Sequence, residues 1–297
     1  MYLSFEEIRS SLRDWRDSNV RCSKKVVQCG EFLFKKDLMP SFNDEVWLVY
    51  EQILIASLDT QRFDMAQECL VRLSNNFPDS NRIKKLAGLK LEAQGYYQKA
   101  IELYDEIIDK DPTNAAARKR KVVVLKSQGR NLEAIKELTV YLHTFMSDQD
   151  AWLELSELYL KELDYGKAAF CIEELLLSKP FNHLFHQRLA EIRYSQGGTE
   201  NIELARQYFA QAVKISGNTN IRALYGLLLS SASLSSSKPS AKNCNPKYAV
   251  WAAKMVKTKY RQTWDYGHSD SLNKHTPKED LPSLTASIDK MLEEMHI

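Results

Sequence analysis

Residues 149–180 read QDAWLELSELYLKELDYGKAAFCIEELLLSKP, and the spacing within this stretch decides the fold. Trp152, Leu155 and Tyr159 recur at steps of three and four, which places them on one face of a helix. Ala168, Ile172 and Leu175 do the same on a second helix. Ala168 is small where two paired helices must cross closely, and Pro180 cannot continue the second one. Such a hairpin has two apolar faces and can bury only one against itself, so copies of it must stack on either side.

The copies are present and in register. Counting back by 34 residues, Ala115 begins a unit with Leu125, Gly129, Ala134 and Leu138 in the corresponding places. Asn81 begins another with Gly88, Leu91, Gly95, Tyr97, Ala100, Tyr104, Ile107 and Pro112. A third starts at Trp47 and carries Tyr50, Ile53, Phe63, Ala66, Leu70, Leu73 and Pro78. Forward from His183, Leu189 and Ala190 fit, and about three extra residues near Gly197–Glu200 precede Ala205, Phe209 and Ala212. This period and residue pattern are those of the tetratricopeptide repeat. The expected fold is therefore all-α: a solenoid of antiparallel helix pairs winding as a right-handed superhelix, with atypical helical caps.

Ser4-Phe5-Glu6-Glu7 has the form of a capping box, so a first helix is expected over Phe5–Asp17 and a second from Ser23 to about Asp37. These belong to an N-terminal helical cap, residues 1–46, ahead of the repeats in 47–234. The units start near 47, 81, 115, 149 and 183, and Asn220–Leu234 resembles the first helix of a partial sixth. The C-terminal part, 235–297, opens with a Ser-rich connector at Ser235–Ser240. A helix is expected over Tyr248–Arg261, a loop over Gln262–Lys278 and an amphipathic helix over Leu281–Met295.

The 297 residues are 44% hydrophobic and 27% charged, as a folded soluble chain requires. Forty-one basic residues against 39 acidic ones leave +2, so no global field favours nucleic acid or anionic lipid. The five cysteines form no C-x-x-C pair and read as reduced thiols. No apolar run approaches the roughly 20 residues of a membrane span, so any membrane association is expected to be indirect, through protein partners. His183 and His186 stand three apart on one helix without a third ligand nearby, which reads as two surface histidines. No phosphate loop, nucleophile elbow or H-E-x-x-H occurs, so neither an enzyme nor a cofactor site is expected.

Partner binding is expected on the concave face, lined by recurring positions of the first helix in each unit. Its candidate residues are Ile55, Arg82, Lys85, Leu89, Arg118, Lys119, Arg120, Val123, Leu153, Glu157 and Leu160. Ile55, Leu153 and Leu160 are apolar where water would otherwise be met, which signals a protein interface. In the basic run Arg118–Lys121, Lys119 is expected to enter the groove and Lys121 to turn towards the next unit. Repeats that grip chaperone tails need Asn at the ninth position. Here that position holds Ile55, Leu89, Val123, Glu157 and Glu191.

Four blocks carry a further resemblance: YEQILIASL at 50–58, DPTNAAARKRK at 111–121, DYGKAAFCIEEL at 164–175 and YSQGGTENIELARQYFAQA at 194–212. Together they resemble the family of subunit 2 of the endoplasmic reticulum membrane protein complex over roughly residues 45–232. The resemblance implies a non-catalytic scaffold, peripheral on the cytosolic face of the endoplasmic reticulum. It would support insertion of tail-anchored and multipass transmembrane proteins. Its implied partners are membrane-embedded subunits and a soluble cytosolic subunit. The alternative is a soluble tetratricopeptide co-chaperone or adaptor that takes a peptide tail in its groove.

If the register is right, Ala134→Trp overpacks a helix crossing and lowers the melting temperature, at a cost of roughly 1–3 kcal/mol or more. Lys278→Trp in the polar tail leaves it unchanged. Thermal melts of the two variants test the register, and a circular dichroism spectrum with appreciable strand would overturn the architecture.

Overall fold

The helices of the repeated pairs begin and end on local chemistry that recurs with the period. Asn114, Asp148 and Asn182 each accept a hydrogen bond from the N–H of Ala117, Ala151 and Leu184, at 3.1, 3.2 and 3.0 Å. Each thereby satisfies an N–H that has no partner within the helix. The first helix of a pair ends on a left-handed residue: Gln61, Gly95, Gly129, Leu163 and Gly197 have φ of 59°, 80°, 74°, 59° and 77°. After four of them, the N–H of Arg62, Tyr96, Arg130 and Asp164 donates to the carbonyl five residues back, at 2.8–3.0 Å. This closes the helix and reverses the chain into its partner.

The computed structural model describes residues 4–237 and 247–269, with Ala286, Lys290 and Glu293. These hold fourteen α-helices and no strand. The chain divides into two compact units, Met1–Thr144 and Phe145–Ile297. In the first, α1 (Phe5–Asp17) and α2 (Ser23–Lys35) lead through a 3₁₀ segment, Met39–Glu45, into three pairs. These are α3 (Val46–Asp59) with α4 (Phe63–Asn76), α5 (Asn81–Ala93) with α6 (Tyr97–Lys110), and α7 (Ala115–Ser127) with α8 (Asn131–Thr144). One buried cluster joins Ile8 and Leu12 of α1, Leu33 of α2 and Phe42 of the 3₁₀ segment to Ile53, Leu54, Cys69 and Leu86.

The second unit pairs α9 (Gln149–Lys161) with α10 (Tyr165–Ser178) and α11 (His183–Gln196) with α12 (Thr199–Ile215). It continues with α13 (Ile221–Ser237), packed on α12, and α14 (Lys247–Ser269), packed on α13. Ala168, Ile172, Leu175 and Leu189 centre one cluster, and Ala205, Phe209, Leu224, Leu228 and Ala252 another. The crossings are close. Ala66, Ala100, Ala134, Ala168 and Ala205 are all fully buried. Ser156, also buried, donates its hydroxyl to the carbonyl of Ala168 at 3.0 Å. A Cβ on Gly88 would lie 2.6 Å from the Tyr104 ring, and one on Gly226 2.3 Å from the Phe209 ring.

Three features differ from what the pattern predicts. The 3₁₀ segment Met39–Glu45 has no counterpart in the repeat, yet it buries Met39 and Phe42. Helix α13 carries on through 235–237, and α14 runs to Ser269, so 262–269 are helical rather than loop. Their polar residues lack an apolar stripe, but backbone hydrogen bonding extends an existing helix at little cost once its first turns are docked. The expected Leu281–Met295 helix lies outside the described residues save Ala286, Lys290 and Glu293.

Two substitutions test this packing in opposite directions. Leu163 holds a left-handed turn with its side chain 69% exposed, so Leu163→Gly relieves strain and loses almost no contact. A gain of about 0.5–1 kcal/mol is expected after the entropy of the added glycine. Gly226→Ala forces Phe209 aside and should cost about 1–3 kcal/mol. Denaturant titrations read both, and a loss for Leu163→Gly would show that the turn is not strained.

Candidate partner-binding grooves

In the first unit the first helices of successive pairs, α3, α5 and α7, line a trough. One cavity of about 510 Å³ lies between α3 and the α1–α2 region, with Trp15, Val20, Leu48 and Ile55 as apolar walls. A second, about 340 Å³, runs from α3 along Leu58 and Leu89 to Arg120 and Ser127 of α7. Arg21, Ile55 and Asp59 line both, so the two adjoin along one surface. In the second unit a cavity of about 420 Å³ is bounded by Leu160, Glu191, Arg222, Tyr225 and Leu229.

The charges along these surfaces are matched from within. The Arg21 guanidinium closes on Asp59, and Ser23 donates to the same carboxylate at 2.5 Å. The hydrogen bond from Arg21 does most to hold the Asp59 carboxyl below the usual aspartate range. Arg82 pairs with Glu51 at 2.5 Å. Arg120 forks onto Glu92 at 3.2 and 2.5 Å, and Glu92 also accepts the Tyr104 hydroxyl at 2.5 Å. Burial first, then Glu92, pushes the Tyr104 hydroxyl pKa upward, so it stays a donor. In the second unit Glu191 accepts from Arg222 at 2.6 Å and from Gln187 at 2.9 Å. What such a surface still offers a partner is apolar area: Leu48, Ile55 and Leu229 are all exposed.

Of the residues expected on the groove, Ile55, Arg82, Leu89 and Arg120 meet along the trough of the first unit. Leu160 lines the cavity of the second. Leu153 and Leu160 pack partly on the Ile172 cluster and are half-buried rather than bare. Lys85 and Val123 are half-buried outside the described cavities, and Glu157 is exposed. Arg118 donates to the carbonyl of Pro112 at 2.9 Å.

Two expectations are corrected here. Lys119 sits 5.6 Å over the ring of Tyr141 on α8, while its neighbour Arg120 occupies the trough because Glu92 draws it there. Lys121 lies between Asp105 of the preceding pair and Glu137 of its own, at 2.8 Å from each. Burial pulls the Lys121 pKa down, but the two carboxylates outweigh it and hold the pKa above the lysine norm. Arg120 and Lys121 thus serve the fold. Sequence periodicity missed Trp15 and Arg21, which come from the non-repeating N-terminal helices, and Arg222 and Tyr225 beyond the fifth unit.

The two histidines each meet a local partner through one ring nitrogen, and His186 Nδ1 is buried without a hydrogen bond. His186 Nε2 lies 2.8 Å from the carbonyl of Pro180, and His183 Nδ1 lies 3.0 Å from the Asn220 amide. Burial pushes the Cys69 and Cys171 thiols up to about 12, far from the thiolate form that reacts or binds metal. Among the described residues no three His, Cys, Asp or Glu side chains group as a metal site, and no helix is long and apolar enough to cross a membrane.

Residues 65–201 match the family model described as the EMC2 TPR-like repeat domain. ER membrane protein complex subunit 2-A of Xenopus laevis is 49% identical over 262 residues, covering 87% of this chain and 88% of that protein. ER membrane protein complex subunit 2 of Dictyostelium discoideum is 31% identical over 277 residues, covering 90% and 85%. The crystal structure of the C-terminal part of a TPR repeat-containing protein from Cytophaga hutchinsonii superposes with a TM-score of 0.59 at 17% identity. It covers 84% of this chain and 96% of its own, and it bears on the fold alone.

The ion pairs separate two neighbouring arginines. Arg120→Glu sets two carboxylates and the Tyr104 hydroxyl together in a half-buried pocket, at a cost of about 1–3 kcal/mol. Arg118→Glu forfeits one bond to a surface carbonyl and should stay within about 0.5 kcal/mol. Chemical denaturation measures both, and equal stability of the two variants would show that Arg120 is not part of the fold.

Proposed function

The chain belongs to the family of ER membrane protein complex subunit 2, and from that premise we propose that it is a non-catalytic scaffold on the cytosolic face of the endoplasmic reticulum. In this role it supports the insertion of tail-anchored and multipass transmembrane proteins by holding membrane-embedded subunits and a soluble cytosolic subunit together.

The trough of the first unit carries this reading. Its carboxylates are already paired with its own arginines, while Leu48 and Ile55 remain open to solvent. A surface of this kind supports docking of protein chains through apolar contact, with charges setting register and partner choice. It offers no free fork for a terminal carboxylate. The ninth-position residues Ile55 and Leu89 line it with hydrocarbon where a tail-binding adaptor needs an amide. Recruitment through partners also suits a chain whose described helices cannot span a bilayer.

Affinity purification of the tagged chain in mild detergent should recover several integral membrane proteins, and alkaline carbonate should release the chain from membranes. The isolated chain should not bind protein-free vesicles. Removal of the membrane-embedded subunits should lower its abundance, because cover for the apolar trough is lost. Recovery of a soluble chaperone without membrane subunits would replace this account with the adaptor role.

A further inference from the structure

Helix α1 carries arginines at 9, 13 and 16, a spacing that lines them along one side of the helix. All three turn onto one carboxylate, Glu45, at the end of the 3₁₀ segment. Arg9 and Arg16 reach it at 3.5 Å, and Arg13 closes on it directly. Among the described residues no other carboxylate lies within ion-pair reach of these guanidiniums, so three positive charges face one negative charge. Arg16 is tied further to Gln52 at 3.1 Å, whose amide in turn donates to the carbonyl of Leu12. Arg9 and Arg13 have no such second tie. Within the cluster the Arg9 Nε–H and Glu45 Oε2 are both buried without a hydrogen-bond partner, and the Arg13 side chain is 51% exposed.

A single carboxylate has about four acceptor sites, whereas three guanidiniums present about fifteen N–H donors. Like charges gathered this closely are stabilised by each further anion that reaches them, and an arginine fork can bind a carboxylate through two parallel hydrogen bonds. The shape of the surroundings selects the anion. Glu6 and Asp17 are exposed along one side of the arginine stripe, with Asp14 and Glu7 exposed further round the same helix. A broad anionic sheet such as a membrane would meet those acids together with the arginines. A single narrow chain lies along the stripe and avoids them.

We propose that the Arg9–Arg13–Arg16 stripe is a docking site for an acidic segment of a protein partner, whose Glu or Asp carboxylates join Glu45 among the three guanidiniums. The proposal rests on the scaffold role only in taking the ligand to be a protein. Glu45 acts as a resident competitor that orders the arginines while the site is open.

The test uses the full chain and a fluorescent hexaglutamate peptide, titrated at low and physiological salt. Saturable, salt-sensitive binding is expected. Arg13→Gln should weaken it about tenfold, the usual effect of losing a charge-assisted hydrogen bond. Glu45→Gln should tighten it several-fold, because the resident competitor is gone. Arginines that serve only to anchor Glu45 would give no gain in that variant. Melting curves keep folding defects apart from binding, and Arg13→Gln, at the exposed edge, retains the fold. Peptide binding that ignores Arg13→Gln, or that fails to tighten in Glu45→Gln, overturns the proposal. So does displacement of the peptide by inorganic phosphate at equal charge, or Arg13-dependent binding to phosphatidylserine vesicles. Because the assay reads the isolated chain, its failure leaves the co-purification test of the scaffold role untouched.

Discussion

Each helix pair in this protein depends on how closely its two members can cross. A methyl group is the largest side chain the crossing accepts at Ala66, Ala100, Ala134, Ala168 and Ala205, and all five are fully buried. Close approach lets larger side chains such as Tyr104, Leu138 and Ile172 interlock one turn further on, and they too are fully buried. Where the facing position shrinks to Gly88 or Gly226, an aromatic ring fills the space left free. The facing and crossing positions are therefore complementary in size, and packing at this density tolerates no added methyl.

From that spacing the rest follows. With pairs held close, the first helices stand side by side, and long side chains from one reach the carboxylates of its predecessor. Arg82 meets Glu51, and Arg120 meets Glu92. These bonds neutralise the trough and lock adjacent pairs in register. They also leave apolar positions such as Ile55 as the surface that a partner can cover. In the proposed role, charge matching within the chain would matter as much as groove shape. A surface whose charges are already satisfied binds through area and fit, and its polar contacts select among partners rather than drive association. The cluster around Glu45 departs from this pattern. There the chain supplies three guanidiniums and a single carboxylate.

The helices of the repeats were legible because the features that define them are local. A small residue at the crossing, a left-handed turn and an Asn or Asp cap recur every 34 residues and need no distant partner to be recognised. Pro180 and Gly129 announce their roles by chemistry alone. The 3₁₀ segment and the helical residues 262–269 were not legible, since neither carries a periodic apolar stripe and both depend on what they extend or cover. Five of the eleven candidate groove residues, Ile55, Arg82, Leu89, Arg120 and Leu160, line the cavities of the two units. The repeat dictates the direction in which a backbone position faces, so Ile55 and Leu89 fall along the trough.

The all-helical repeat, its register and the family could all be read from the order of residues along the chain. Which charges are free and which are bound depends on where folding brings distant acceptors. Arg118, Lys119, Arg120 and Lys121 look equivalent as a basic run, yet they end on a carbonyl, an aromatic ring, one carboxylate and two carboxylates. Arg120 finds its partner 28 residues away, and Arg21 finds Asp59 across 38. The physical reason is reach. Periodicity sets where a Cβ points, whereas an arginine carries its charge several bonds beyond, on a flexible stem that settles wherever the folded chain brings an acceptor.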